Sequence, residues 1–240
     1  MNYIFDIDAG GIFSKYMFGV QNAIKYDFDS IYLNIIDDRT IPNAFDFVLD
    51  QEIQNTFTKI FCENLGTYDK KTPIENSINF NYYKELAEKI KIKQTILDKV
   101  NKYVKKFNIN ENTIGVHLRL TDMNIHHKKQ YGVLTFENFV SNMDTNKDYF
   151  IASDNHESIQ KLKEIFGDKI KYVPKMIRCE KENDDSTILQ IDNFKNEKFW
   201  VESFIEMLLL SKCGKVICRT SNLINASIIH SNNIKEIIRL

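Results

Sequence analysis

Glycine and proline are scarce in this chain, with 8 and 3 of them among 240 residues. So few breakers leave most of the sequence to regular helices and strands, and exclude the Pro- and Gly-rich compositions of disordered or fibrous chains. The four cysteines, Cys62, Cys179, Cys213 and Cys218, show no CxxC spacing. That excludes a zinc-ribbon pattern and leaves four reduced thiols in place of a disulfide frame. Neither sign of charge prevails, since 32 basic residues meet 33 acidic ones for a formal net charge of −1. No general field therefore draws the protein to nucleic acid, and an anionic ligand must be gripped locally. Long apolar runs are missing too: the longest, residues 207–210 with Phe204 and Ile205 nearby, falls far short of the roughly 18 residues needed to span a bilayer. The first eight residues carry Asp6 and Asp8 and lack the basic start and apolar run of a signal peptide. These features together predict a cytoplasmic protein.

Apolar residues make up 43% of the chain and charged residues 27%, with 17 Phe and 11 Tyr. That is a globular composition, and the length suits one large α/β domain or two lobes. The pattern favours two. Residues 3–7 read as a short buried strand, Asp8-Ala9-Gly10-Gly11 as a turn that lets backbone approach a ligand, 12–23 as a helix and 30–36 as a strand. Between 82 and 107 the apolar positions Leu86, Ile90, Ile96, Leu97, Val100, Tyr103 and Val104 follow helical spacing, as one helix or as two broken near Lys91. Lys84, Lys89, Lys93, Lys99 and Lys102 fall on its other faces. Such a basic face is solvated in most proteins, and it also permits peripheral contact with an anionic membrane. The polar stretch 108–113 is the predicted boundary, dividing an N-terminal lobe, 1–110, from a C-terminal lobe, 111–240.

Beyond it strands and helices alternate. Strands are expected at 114–120, 149–152, 170–173 and 215–218, and helices at 136–143, 156–166, 199–211 and 222–230. This rhythm predicts doubly wound parallel sheets, which bind ligands outside the carboxyl ends of their strands. Two strand ends stand out. His117 and Arg119 are two apart and project to one face, and an arginine there calls for an anion that fits its planar fork, either a phosphate or the nearby carboxylate of Asp122. Cys218-Arg219-Thr220-Ser221-Asn222 runs from a strand into a helix start, where Ser221 or Asn222 caps the helix and the free N–H groups offer an anion site.

These residues resemble the fucosyltransferase superfamily, which includes α1,6-, α1,2- and protein O-fucosyltransferases. The run from His117 to Asp122 matches its His-x-Arg-x-x-Asp strand end. The helix Phe204-Ile205-Glu206-Met207-Leu208 leading to Cys218-Arg219-Thr220-Ser221-Asn222 is similar to its closing motif. Tyr149-Phe150-Ile151-Ala152-Ser153-Asp154 is similar to its intervening strand, and Asp8-Ala9-Gly10-Gly11 with Gln21 loosely resembles its opening loop and helix.

The resemblance implies an α/β fold of two Rossmann-like lobes, the GT-B type, with parallel sheets and a cleft between them. GDP-fucose is the donor substrate, bound mainly by the second lobe, and the acceptor is a glycan. No metal and no separate cofactor are implied. Arg119 would grip the β-phosphate, Ser221 and the helix start behind it the same diphosphate, with His117, Asp154, Glu206, Arg219, Thr220 and Asn222 completing the nucleotide side. The superfamily inverts the anomeric carbon, which calls for a base on the acceptor hydroxyl or at least a very well stabilised leaving group, and Asp8 and Asp122 are the candidate bases. Leu120 follows Arg119 where many α1,6 and α1,2 enzymes carry a second arginine, so those linkages do not follow. Three other readings use the same residues: a phosphatase with an aspartyl nucleophile at Asp6 or Asp8, a metal-dependent Asp-x-Asp glycosyltransferase, and a non-catalytic nucleotide-sugar-binding protein.

Overall fold

The computed structural model describes residues 2–7, 12–23, 30–35, 44–51, 58–61, 74–76, 80–121, 124–125, 132–174, 178–180 and 196–240, and every structural statement is made of these. Asp8, Asp122, the Gly10-Gly11 turn and Cys62 lie outside the described residues.

The chain opens with β1 (Asn2–Ile7), α1 (Ile12–Ala23) and β2 (Ser30–Ile35). A later strand, β3 (Thr58–Phe61), completes a parallel sheet of order β2-β1-β3. At its β2 edge the Gln51 side-chain amide stands in for a strand. It accepts from the Leu33 N–H and donates to the Leu33 carbonyl, both at 3.1 Å, so one backbone pair of an otherwise open edge is satisfied.

The long amphipathic segment is two helices, α2 (Phe80–Lys89) and α3 (Gln94–Phe107). The break is built, since Lys93 N donates to Val48 O at 3.0 Å and Asp50 N to Lys91 O at 2.8 Å, around a bridge between Leu49 and Ile92. Ile96 and Val100 of α3 are buried, whereas Lys99, Lys102, Lys105 and Lys106 are exposed.

The second sheet follows the 108–113 loop. Its elements are β4 (Ile114–Leu118), α4 (Phe136–Val140), β5 (Tyr149–Ser153), α5 (His156–Phe166), β6 (Ile170–Tyr172), α6 (Glu197–Leu210), β7 (Lys215–Cys218), α7 (Asn222–Ile229) and β8 (Glu236–Arg239). All five strands run parallel in the order β6-β5-β4-β7-β8. The order reverses between β4 and β7, the point at which sheets of this kind open a crevice.

Both faces of this sheet are covered, and the side chains alternate between two cores as the strand pleat requires. Phe150, Ala152, Val216 and Cys218 join the core built with α6, α7 and α1 to α3, while Val116, Leu118, Ile151 and Ile217 join the one built with α4 and α5. The first core is continuous from Tyr16, Met17 and Val20 of α1 through Trp200 and Phe204 of α6 to Ile224 and Ile228 of α7. Close backbone approach explains two glycines. A Cβ on Gly115 would meet Leu210 Cδ2 at 2.8 Å, and one on Gly214 would meet the Glu111 carbonyl oxygen at 1.8 Å. The turn entering β7 is thereby pressed onto the loop entering β4.

Within the shared core the Tyr16 hydroxyl and His230 Nε2 lie 2.6 Å apart. Burial pushes the tyrosine up and, with Lys212 nearby, pushes the imidazole down to about 4. His230 is thus neutral, and its Nε2 shares one hydrogen bond with the Tyr16 hydroxyl. Because its folded value lies below the unfolded one, the unfolded chain binds more protons between about pH 6.5 and 4, and stability falls as pH drops through that window. The slope of unfolding free energy against pH, measured by urea titration, is expected to flatten there in His230→Phe relative to the parent.

The predicted boundaries of α1, α5 and β7 agree with the structure, and those of the other predicted elements agree to within a few residues. The strands β3 and β8 carry no expectation from the pattern; each has four residues and lies at a sheet edge.

Candidate active site

The carboxyl ends of β4, β5 and β7 bring most of the predicted residues together. Leu118 is level with Ser153 in the β4–β5 register, so one step on Arg119 comes level with Asp154. Their side chains pair, Arg119 Nε to Asp154 Oδ2 at 3.7 Å, with the arginine 32% and the aspartate 14% exposed. The Thr121 hydroxyl donates to the same oxygen. The arginine thus leans towards β5 with a carboxylate orienting it, and its side chain stays within reach of solvent.

His117 is level with Cys218 on β7. It is buried, 4% exposed, and its Nδ1 lies 3.3 Å from Ser221 Oγ. The same Oγ accepts from Ile224 N at 3.2 Å, so Ser221 is the N-cap of α7. Capping leaves the N–H groups of Asn222 and Leu223 without intrahelical acceptors at the positive end of the helix dipole. Alternation puts Arg119 on the same side of the sheet as His117, the side on which α7 begins. Guanidinium and helix amino end therefore occupy adjacent strand tips, on one side, at the reversal of strand order.

A second helix end joins them. Asn222 Nδ2 donates to Ser14 Oγ at 2.7 Å, tying the first turn of α1 to the first turn of α7. Lys15, next in α1, is fully buried. The structure thus joins the beginning of the chain to the Ser221 turn, which the sequence alone places over two hundred residues apart.

Other predicted residues make structural contacts. Arg219, 3% exposed, donates to Asn124 Oδ1 at 3.0 Å and to the Gly132 carbonyl at 2.8 Å, fastening the segment after β4 to the tip of β7. The Thr220 hydroxyl accepts from Arg239 Nη1 at 3.2 Å. Arg239 also makes a two-pronged contact with Glu75, at 3.0 and 2.6 Å, linking β8 to the 74–76 turn of the first half. Glu206 is 1% exposed, and its Oε1 accepts from Arg178 Nη2 at 3.1 Å. It sits behind the strand ends rather than at their rim. The candidate bases Asp8 and Asp122 lie outside the described residues.

Arg178 escapes the sequence reading. It is 9% exposed, donates from Nε to Ser153 O at 3.1 Å and from Nη2 to Val173 O at 2.8 Å, and stacks over Tyr172 at 5.6 Å. The available signal is its partner: Glu206 stands inside Phe204-Ile205-Glu206-Met207-Leu208, and an acid in so apolar a helix needs a buried cation. Among the described residues no group of three or more His, Cys, Asp and Glu side chains is placed to hold a metal ion.

No family model and no curated protein matches the sequence. The fold does match. The chain superposes over its whole length on the fucosyltransferase NodZ from Bradyrhizobium, with TM-score 0.56 and 12% identity, covering 95% of that chain. NodZ α-1,6-fucosyltransferase soaked with GDP-fucose gives 0.54 and 14% over 100% of this chain and 94% of that one, and apo POFUT1 gives 0.53 and 10% over 99% and 97%. This chain has a fucosyltransferase fold. Against NodZ co-crystallized with GDP the match is shorter, spanning 78% of this chain and 56% of that one at TM-score 0.47. The reversal between β4 and β7 places Arg119 and Ser221 at the mouth of the second sheet.

Proposed function

We propose that the protein transfers fucose from GDP-fucose to a hydroxyl of a glycan acceptor, with inversion at the anomeric carbon and without a metal ion. The observation that carries this reading is the arrangement at one reversal of strand order, with Arg119 at the tip of β4, the Ser221-capped start of α7 at the tip of neighbouring β7, and the start of α1 tied to it. Two helix amino ends and an arginine fork make a site for a diphosphate. Structures of the same fold include NodZ soaked with GDP-fucose and POFUT1 in complex with GDP-fucose.

In this mechanism the bond between the fucosyl C1 and the β-phosphate oxygen breaks, and its electron pair passes to that oxygen. Arg119, Ser221 and the α7 N–H groups hold the charge that develops, which is where preorganised donors act most strongly. The acceptor oxygen bonds C1 from the opposite face and gives its proton to a carboxylate, Asp8 or Asp122. Residues 111–240 form the donor lobe and 1–110 the acceptor side. The buried thiols of Cys179, Cys213 and Cys218 suit a reducing, cytoplasmic setting. No described helix is long and apolar enough to cross a membrane; the exposed lysines of α3 would allow peripheral contact with an anionic surface.

Thermal shift against GDP, UDP and CMP tests the donor, because a ligand that binds only the native state raises the melting temperature. GDP alone is expected to do so. Turnover of GDP-fucose with glycan acceptors should survive EDTA; loss of activity there would return the Asp-x-Asp readings, and GDP binding without turnover would leave a non-catalytic binder. Ser221→Ala should cost about 1 kcal/mol of stability through the lost cap. It should also weaken GDP about tenfold, the worth of one hydrogen bond to a charged group, as read by calorimetric titration.

A further inference from the structure

Arg178 lies too deep to touch a substrate, yet its hydrogen bonds end on the backbone that carries the site. Its Nε holds the carbonyl of Ser153, the residue before Asp154. On the next residue along, Cys179 N donates to Asp154 O at 2.8 Å and Cys179 O accepts from His156 N at 2.8 Å. Arg178 and Cys179 therefore hold the Ser153–His156 turn at three points. The carboxylate of that turn is the one that pairs with Arg119 and takes the Thr121 hydroxyl. From behind, Nη2 joins the end of β6 through Val173 O to Glu206 of α6. An unbroken series of contacts thus runs from Glu206 through Arg178, Ser153 and Asp154 to Arg119.

We propose that the buried Arg178–Glu206 pair is a positioning device that sets the Asp154 carboxylate and, through it, the angle at which Arg119 meets the donor phosphates. The statement about phosphates rests on the reading of the site as a GDP-fucose site; the statement about Asp154 does not. Charge explains why the device is an ion pair. A second uncompensated arginine, bonded to the residue before Asp154, would compete with Arg119 for the carboxylate, and Glu206 gives Arg178 a counter-charge of its own.

The test compares Arg178→Met/Glu206→Leu with the parent. Removing both charges together leaves neither ion buried without its partner, so the change isolates the loss of the Arg178 donors to the Ser153 and Val173 carbonyls. Two readouts follow. In the nucleotide-free protein, amide exchange in peptides covering 117–121 and 151–156 is expected to quicken at least tenfold, with peptides of α7 and β8 unchanged. With GDP-fucose, kcat is expected to fall on the order of 100-fold for a misplaced arginine, with KM changing far less.

A double variant with parental exchange in both segments, or with quickened exchange but parental kcat, overturns the positioning role. Should the parent bind no GDP, the donor reading fails by itself, and the exchange measurement still decides whether the pair holds Asp154. If the double variant is poorly folded, Arg178→Lys serves instead. It keeps the charge for Glu206 but cannot reach the Ser153 and Val173 carbonyls at once, so the same local exchange and kcat effects are expected and their absence is equally fatal.

Discussion

Arg119→Ala is expected to lower the rate of GDP release from GDP-fucose by 100-fold to 1000-fold, roughly the loss seen when one preorganised donor to a developing charge is removed. Its fold should survive. The Arg119–Asp154 contact is long, at 3.7 Å, and the arginine is 32% exposed, so the pair contributes at most about 1 kcal/mol in partial solvent. Asp154 keeps the Thr121 hydroxyl. A residue at a strand tip, outside both cores, can thus be removed at little structural cost, and the loss of rate reads as lost stabilisation of the leaving diphosphate. Arg119→Lys should recover little, because a point charge cannot both lie along Asp154 and present a planar fork. Initial rates beside urea denaturation check the prediction. An alanine variant that keeps more than a tenth of the parent rate would remove Arg119 from the phosphate site.

What could be read from the sequence followed from local periodicity. α5 and β7 are bounded by clear signals, an Asn155 cap whose Oδ1 accepts from Ser158 N at 2.6 Å and a glycine entering β7. His117 and Arg119 were legible because two polar residues on a buried strand break its pattern, and Ser221 because a Ser before an apolar helix is a cap. The sequence could not show which strands lie side by side, and that arrangement makes the site. Arg119 meets Asp154 only because β4 pairs with β5, and His117 meets Ser221 only because β4 also pairs with β7. Arg178 stayed hidden for the same reason, since its partners Ser153, Val173 and Glu206 come from three separate elements. The edge strands β3 and β8 were illegible for want of length: four residues carry too short an alternation to rise above a loop.

The largest expected effect on stability belongs to Glu206→Ala, which should lose about 3 to 5 kcal/mol, the range for removing one partner of a buried ion pair. The reason is what remains. Arg178 has a side chain 6% exposed, and without the carboxylate its cation keeps two carbonyl acceptors, Ser153 O and Val173 O, and the Tyr172 face. Those dipoles offset part of the cost but supply no net opposite charge. Truncation also leaves a void in a helix that is buried on nearly every side from Trp200 to Leu210. Glu206→Gln separates the two contributions, since it fills the void and retains a hydrogen-bond acceptor while discarding the charge. If the charge dominates, Gln should lose almost as much as Ala; if packing dominates, Gln should stand close to the parent. Urea midpoints at unchanged m-value measure both. A loss below about 1 kcal/mol in Glu206→Ala, the range of solvent-exposed pairs, would mean that water reaches this pair and that Arg178 is not held as the buried geometry implies.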